Sequence, residues 1–323
     1  MSKITLKEAT ENQLNKWDDF IESSRNGTLF HMRHFLAYHG DRFAGREHYL
    51  VFLRGEAEVA SLSLAVDEED GVRIARSPYG ASYGGIVLFR EPVYSLSADI
   101  IASLVKWLIE NRIEYCRFTH PIACCSAISM DTFTFALHEA GFALINRDIS
   151  SVVRLGLKNT VWDRVSGNAR NMVRKAERNG VVIDHDPLFA DYWQVMEQTF
   201  TKHGTNATHT REELSDLIRR FPKHISIHVA RMKGRPVAGV CEFVINSRVN
   251  SSFYFCQDPD HQEVQGLSLL VMDALQRSEK AGYNYYDFGT SSVNMQSRPN
   301  IFHFKESFGA EGFWRETLEW KMR

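Results

Sequence analysis

The sequence has no excess of either charge: 38 Lys and Arg stand against 40 Asp and Glu in 323 residues, a formal net charge of −2. No global basic field therefore draws the chain to nucleic acid or an anionic membrane, and a polyanionic partner must use a local patch. No apolar run reaches the roughly 18 residues that span a bilayer. The opening stretch, MSKITLKEATENQLNKW, lacks the apolar core of a signal peptide. Five cysteines (Cys116, Cys124, Cys125, Cys241, Cys256) are an odd number without framework spacing, so reduced thiols in a cytoplasmic protein are expected. Low-complexity tracts and short repeats are absent. So are a G-x-S-x-G elbow, a P-loop and an H-E-x-x-H pair, which argues against the usual hydrolases, NTPases and zincins. His120, Cys124 and Cys125 fit no zinc spacing and have no evident fourth ligand, so no metal is expected. His31, His34 and His39 lie among aromatics and read as surface or helix packing.

What is present is an ordinary globular composition, 44% apolar and 24% charged, long enough for two domains of about 150 residues. The halves share a layout: an early helix, strands around a Gly-containing turn, a helix stopped by Gly, then another strand. In the first half, residues 6–23 read as a helix and 48–53, 58–66 and 71–76 as strands. Residues 97–111 form an amphipathic helix through Ile100, Ile101, Leu104, Val105 and Leu108. A strand at 114–119, a helix at 131–140 and a strand at 151–157 follow. The second half reads as helices at 162–179, 189–203 and 211–221, then a hairpin of 224–232 and 237–246. After it come a strand at 249–257, a helix at 267–281, a strand at 283–288 and an alternating C-terminal strand from Trp314 to Met322. The class is α/β (α+β) with two mixed sheets, and the expected domains are 1–157 and 158–323.

Three stretches could carry chemistry. Gln265-Gly266-Leu267-Ser268 opens a helix after an aromatic strand. A first helical turn offers free N–H groups and partial positive charge, which suit the pyrophosphate of a donor such as coenzyme A. The plain alternative is a glycine that starts a helix packed on the sheet. In SGNARNMVRKAERNGV, Arg170, Arg174 and Arg178 recur every fourth residue. They repel one another unless an anion faces them, or they form a solvated face. In SPYGASYGGIVL, Tyr83 and Gly84 pair an aromatic platform with exposed backbone, or the glycines simply supply positive φ for tight turns.

NARNMVRKAERNGV, GRPVAG, QGLSLLVMDALQRSEKAGYNYYDFG and FKESFGA stand in the order seen in FemABX-type proteins of the GNAT superfamily. The resemblance runs over about residues 161–310 and is most specific in the Tyr-Asp-Phe-Gly and Phe-Lys-Glu-Ser-Phe-Gly pair. It implies two tandem GNAT-like domains, each a mixed, mostly antiparallel sheet flanked by helices, with an acyl acceptor in the cleft between them. It also implies N-acyl transfer, in which an amine attacks a thioester or aminoacyl ester directly. Better-known members use aminoacyl-tRNA to build peptidoglycan cross-bridges, and others acylate amino groups in polysaccharide and cell-surface pathways. The helical coiled-coil insertion of some tRNA users is missing here. The loop at 262–268 also lacks the full Gly-rich acyl-CoA signature.

By that resemblance Lys305 lies at the cleft, where its ammonium would stabilise developing negative charge, and Phe304 shapes the same wall. Asp287 either receives the proton of the amine or caps the next turn. Glu242 is the rival base. Gln265, Gly266, Leu267 and Ser268 would hold an acyl-CoA or other acyl thioester. Arg170, Arg174 and Arg211, with Tyr83 and Gly84, would meet a nucleotide- or lipid-linked amine acceptor. Three functions follow: thioester-dependent N-acylation of an amino sugar or related cell-surface precursor, aminoacyl-tRNA-dependent transfer, or ligand binding without turnover. The balanced charge gives little sign of the basic stripe that tRNA needs.

Overall fold

Thr10 fixes where the first helix starts. Its backbone N–H donates to Gln13 Oε1 and its hydroxyl accepts from the Gln13 amide, a reciprocal capping box. The helix expected over 6–23 is therefore strand β1 (Ile4–Glu8) followed by α1 (Glu11–Asn15) and α2 (Trp17–Ser23). The computed structural model describes residues 3–204 and 206–323. The chain divides into two compact units, Met1–Asp148 with Trp314–Arg323, and Ile149–Phe313. The break thus precedes the expected boundary at 157, and the last strand belongs to the first unit.

In the first unit, β1 pairs antiparallel with β2 (Glu47–Arg54), which continues into β3 (Ala57–Glu69) and β4 (Val72–Arg76). The short β5 (Val87–Leu88) adds to β3. After α3 (Arg33–Leu36) in the chain, the long α4 (Tyr94–Glu110) precedes β6 (Tyr115–Thr119), which pairs in parallel with β4. α5 (Asp131–Glu139) leads to β7 (Ala143–Arg154), longer than the strand expected at 151–157. Leu50, Phe52, Leu62, Ile100, Leu104, Leu108 and Phe118 centre the core between this sheet and α4. The alternating C-terminal strand, β15 (Glu311–Lys321), pairs antiparallel with β6, Leu318 opposite Phe118.

In the second unit, the helix expected over 162–179 is two: α6 (Val161–Arg164) and α7 (Gly167–Arg178). Val165 is extended, and the Ser166 hydroxyl accepts from the Ala169 amide to restart the helix. β8 (Val181–Asp184), α8 (Phe189–His203) and α9 (Arg211–Arg220) follow, then β9 (Ile225–Met232), β10 (Arg235–Asn246) and β11 (Val249–Gln257). α10 (Gly266–Lys280) returns the chain to β12 (Tyr285–Thr290), giving the order β8-β9-β10-β11-β12 and then residues 149–154 of β7. The loop that follows is a small hairpin, β13 (Ser292–Val293) with β14 (Gln296–Ser297). The aromatic-basic run after it is α11 (Pro299–Ser307). Ala169, Val173, Val271, Leu275, Tyr286 and Phe308 close the core beneath α7 and α10.

Candidate active site

β11 and β12 are parallel partners for three residues only, Val249 with Tyr285, Asn250 with Tyr286 and Ser251 with Asp287. β11 stays paired with β10 as far as Gln257. Beyond Ser251 the two strands part, and one edge of β11 is left facing a wedge. A cavity of about 560 Å³ occupies it, lined by Ser252, Phe253, Phe255, Cys256 and Gln257 of β11 and by Phe288 and Thr290 of β12. α8 adds Thr199 and Lys202, the loop before α10 adds Gln262 and α10 adds Leu267. α11 supplies Asn300, Ile301, Phe304 and Lys305. Neighbouring β11 residues share one wall for two reasons. The cavity runs along a strand edge, and a register shift opposite Cys241 and Glu242 leaves Phe253 outside the regular pairing, a bulge that re-aims its side chain. Thr199 fixes the far end: its hydroxyl donates to the Gln257 carbonyl and accepts from the Gln257 amide. Among the described lining residues the charged ones are Lys202 and Lys305, and none is a carboxylate.

Lys305 is held by backbone. Its Nζ donates to the carbonyls of Gly289 at 2.9 Å and Thr290 at 2.7 Å. An ammonium has three N–H groups, so two are committed and one remains for a ligand. Burial pushes its pKa down to about 8, while the Asp287 carboxylate pulls the other way. Asp287 organises this arrangement. It is buried, and its Oδ1 accepts from the Ser150 hydroxyl and the Gly289 amide, both at 2.8 Å. The second bond is an Asx-type turn, and it shapes the end of β12. Gly289 sits at φ +72°, a conformation glycine adopts without steric cost, and that turn brings two successive carbonyls to one ammonium. Of the two roles considered for Asp287, the geometry displays the cap.

Glu242 is occupied elsewhere. Its carboxylate accepts from Asn250 Nδ2 at 2.9 Å and Arg277 Nη2 at 2.5 Å, and His228 Nε2 lies 3.3 Å away. Burial alone would raise this carboxyl, but His228 and Arg277 outweigh it and hold it below the usual carboxylate range. It does not line the wedge cavity. A buried carboxylate so paired is a poor proton acceptor at neutral pH, which removes it as the base at Lys305.

At the start of α10, Gln265 is left-handed and gives no side-chain cap to the first-turn amides. Its side chain serves the loop instead, donating to the Gln262 carbonyl and accepting from Ser268 Oγ at 3.0 Å. Gly266 answers to packing: a Cβ there would meet Val237 Cγ2 at 3.0 Å and Ala230 Cβ at 3.3 Å. Leu267 reaches the cavity. The arginines divide. Arg170 Nη1 donates to the carbonyls of Val165, Trp162 and Asp163, closing the end of α6. Arg174 is exposed, its guanidinium 5.6 Å from the Trp162 ring centroid, and Arg211 is exposed on the first turn of α9. None of the three lines the wedge. In the first unit Tyr83 is buried, with Arg315 4.8 Å over its ring, so it is no open platform. Gly84 lies so close to Ser77 that a Cβ would come within 2.5 Å of its hydroxyl. Sequence reasoning missed Ser252, Phe253, Phe255 and Ile301. The aromatic run on β11 was visible, but nothing local marks where a strand loses its neighbour.

Residues 164–306 match the family model for the acetyltransferase (GNAT) domain. A comparison with curated proteins returns no match. Among solved structures, FemX superposes with a TM-score of 0.73 at 9% identity, covering 98% of this chain and 97% of that one. L-PGS from Bacillus licheniformis gives 0.57 at 12% identity, covering 98% and 93%. A tandem GNAT protein of the clavulanic acid biosynthesis pathway gives 0.50 at 12% identity, covering 99% and 98%. Identities this low speak for the fold alone, and the fold is of the tandem GNAT and Fem type.

Proposed function

We propose, from a chain whose second unit carries a GNAT acetyltransferase domain, that it is an N-acyltransferase taking an acyl thioester into the wedge between β11 and β12. The carrying observation is one cavity that joins Lys305, at the parting of the strands, to Gln262 of the loop before α10 and Leu267 of α10. The open edge of β11 suits the amide groups of a pantetheine arm, which can bond to it as an added strand does. The first-turn amides of α10 suit the pyrophosphate of acyl-CoA.

In the transfer, the amine nitrogen attacks the thioester carbonyl, the C–N bond forms and the C–S bond breaks. The proton lost by nitrogen ends on the departing thiolate. Lys305 spends two N–H groups on Gly289 and Thr290 and directs the third at the charge developing on oxygen or sulfur. A positioned donor of this kind is typically worth 10²–10³ in rate. Since no described carboxylate lines the cavity, the amine must reach it uncharged or lose its proton through water. The acceptor class proposed is an amino sugar or related cell-surface precursor, which rests on the resemblance alone.

A second reading makes the donor an aminoacyl ester of tRNA, and the FemX-like fold favours it. Against it stands the lining: an aminoacyl group carries an α-ammonium, which would face Lys202 and Lys305 with no carboxylate to receive it. Titration of the purified chain with CoA and with charged tRNA discriminates. Micromolar CoA binding supports the thioester reading, and saturable binding of charged tRNA alone overturns it.

A further inference from the structure

The wedge contains more apolar surface than an acetyl group can use. Phe253 and Phe255 of β11, Ile301 and Phe304 of α11, and Leu267 of α10 are only partly buried, and all line the same cavity. Phe288 completes the wall, with Phe255 5.9 Å from it between ring centroids. Phe255, Leu267 and Phe304 also pack onto the core beneath α7 and α10, so a ligand here would extend that core. Partly exposed aromatics gathered inside a concavity, with a few polar groups among them, describe a site for an apolar ligand. The polar groups are Lys305, Thr290 and Ser252 where the strands part, Gln257, Gln262 and Thr199 toward the end of β11, and Lys202 of α8 and Asn300 of α11. The described lining residues offer no carboxylate to an ammonium.

We infer that the acyl group transferred is an apolar chain of four or more carbons, not acetyl or aminoacyl. The inference rests on the thioester reading of the cavity and adds the identity of what the thioester carries. The side chains that would set the length are Ile301, Phe253 and Phe304. Ile301 stands on the first turn of α11, only partly buried, so it can change size without disturbing the core.

The test is calorimetric titration of the full chain, without acceptor, by CoA and by acetyl-, butyryl-, hexanoyl- and succinyl-CoA. Each methylene buried gains about fourfold in affinity, from about 0.8 kcal/mol per CH₂. Hexanoyl-CoA should therefore bind at least tenfold tighter than acetyl-CoA, and in Ile301→Trp the ratio of the two affinities should fall to within threefold of one. A flat or falling series, or a preference for succinyl-CoA, overturns the inference and leaves the thioester reading standing. Failure of CoA and of every thioester to bind removes both.

Discussion

Lys305 combines a buried ammonium with backbone acceptors that hold it at one point of the cavity. Its pKa of about 8 has a kinetic consequence if the charged form is the one that acts. The ammonium is present below that value and lost above it. The falling limb of kcat/KM against pH should thus show an apparent pKa near 8. Lys305→Arg, which stays charged, should lose that limb even at a reduced rate. A limb unmoved by the substitution would assign it to another group. The Lys-aromatic juxtaposition was legible in the sequence. Its partners were not, because carbonyls of Gly289 and Thr290 carry no signature in a string of side chains. Buried histidines set a second pH dependence. Burial lowers His31 and His209 to about 4, below the ordinary histidine value of about 6.5. The unfolded chain then binds more protons between those values, so their contribution to stability is complete above about pH 6.5 and lost as pH falls toward 4. The urea midpoint should drop between pH 7 and pH 5, and less so in His31→Asn. An unchanged slope would show that His31 is not the titrating group.

At the scale of elements, α10 depends on glycine at its first residue because β9 and β10 lie directly beneath it. Gly266→Ala would press a methyl against Val237 and Ala230 and should cost about 1–3 kcal/mol, the range for overpacking. A chemical melt checks this, and a neutral outcome would mean that α10 lifts without penalty. The cap of α7 is smaller in effect: Ser166→Ala should cost about 1 kcal/mol. Helices and strands with strong periodicity were readable from the sequence, among them α4, α10 and β15. The failures have local causes. Residues 6–23 hold a strand and two short helices because pairing with β2 overrides a helical pattern in β1. Residues 162–179 break at Val165, where the Ser166 cap outcompetes continuation. Gly266 illustrates a subtler limit: its position at a helix start was visible, but only the structure shows Val237 and Ala230 of the sheet packed beneath it.

At the scale of the whole chain, two units of similar size each carry their own core. The family likeness in the sequence is concentrated in the second, where the wedge, α10 and α11 lie. Length and layout point to two domains, and the chain divides into two compact units. The placement of the break was not legible, since the chain crosses it inside β7 and again inside β15, strands that read as uninterrupted in sequence. The central claim is that the wedge of the second unit performs acyl transfer with Lys305 supplying the charge. Release of free thiol from hexanoyl-CoA, followed with a panel of amino-sugar acceptors, tests it most directly in the wild-type chain and in Lys305→Ala. The account predicts thiol release with at least one amine, reduced about 100-fold or more in Lys305→Ala, with CoA affinity within threefold. Undiminished release by Lys305→Ala, or none by the wild-type chain with any amine, would contradict it.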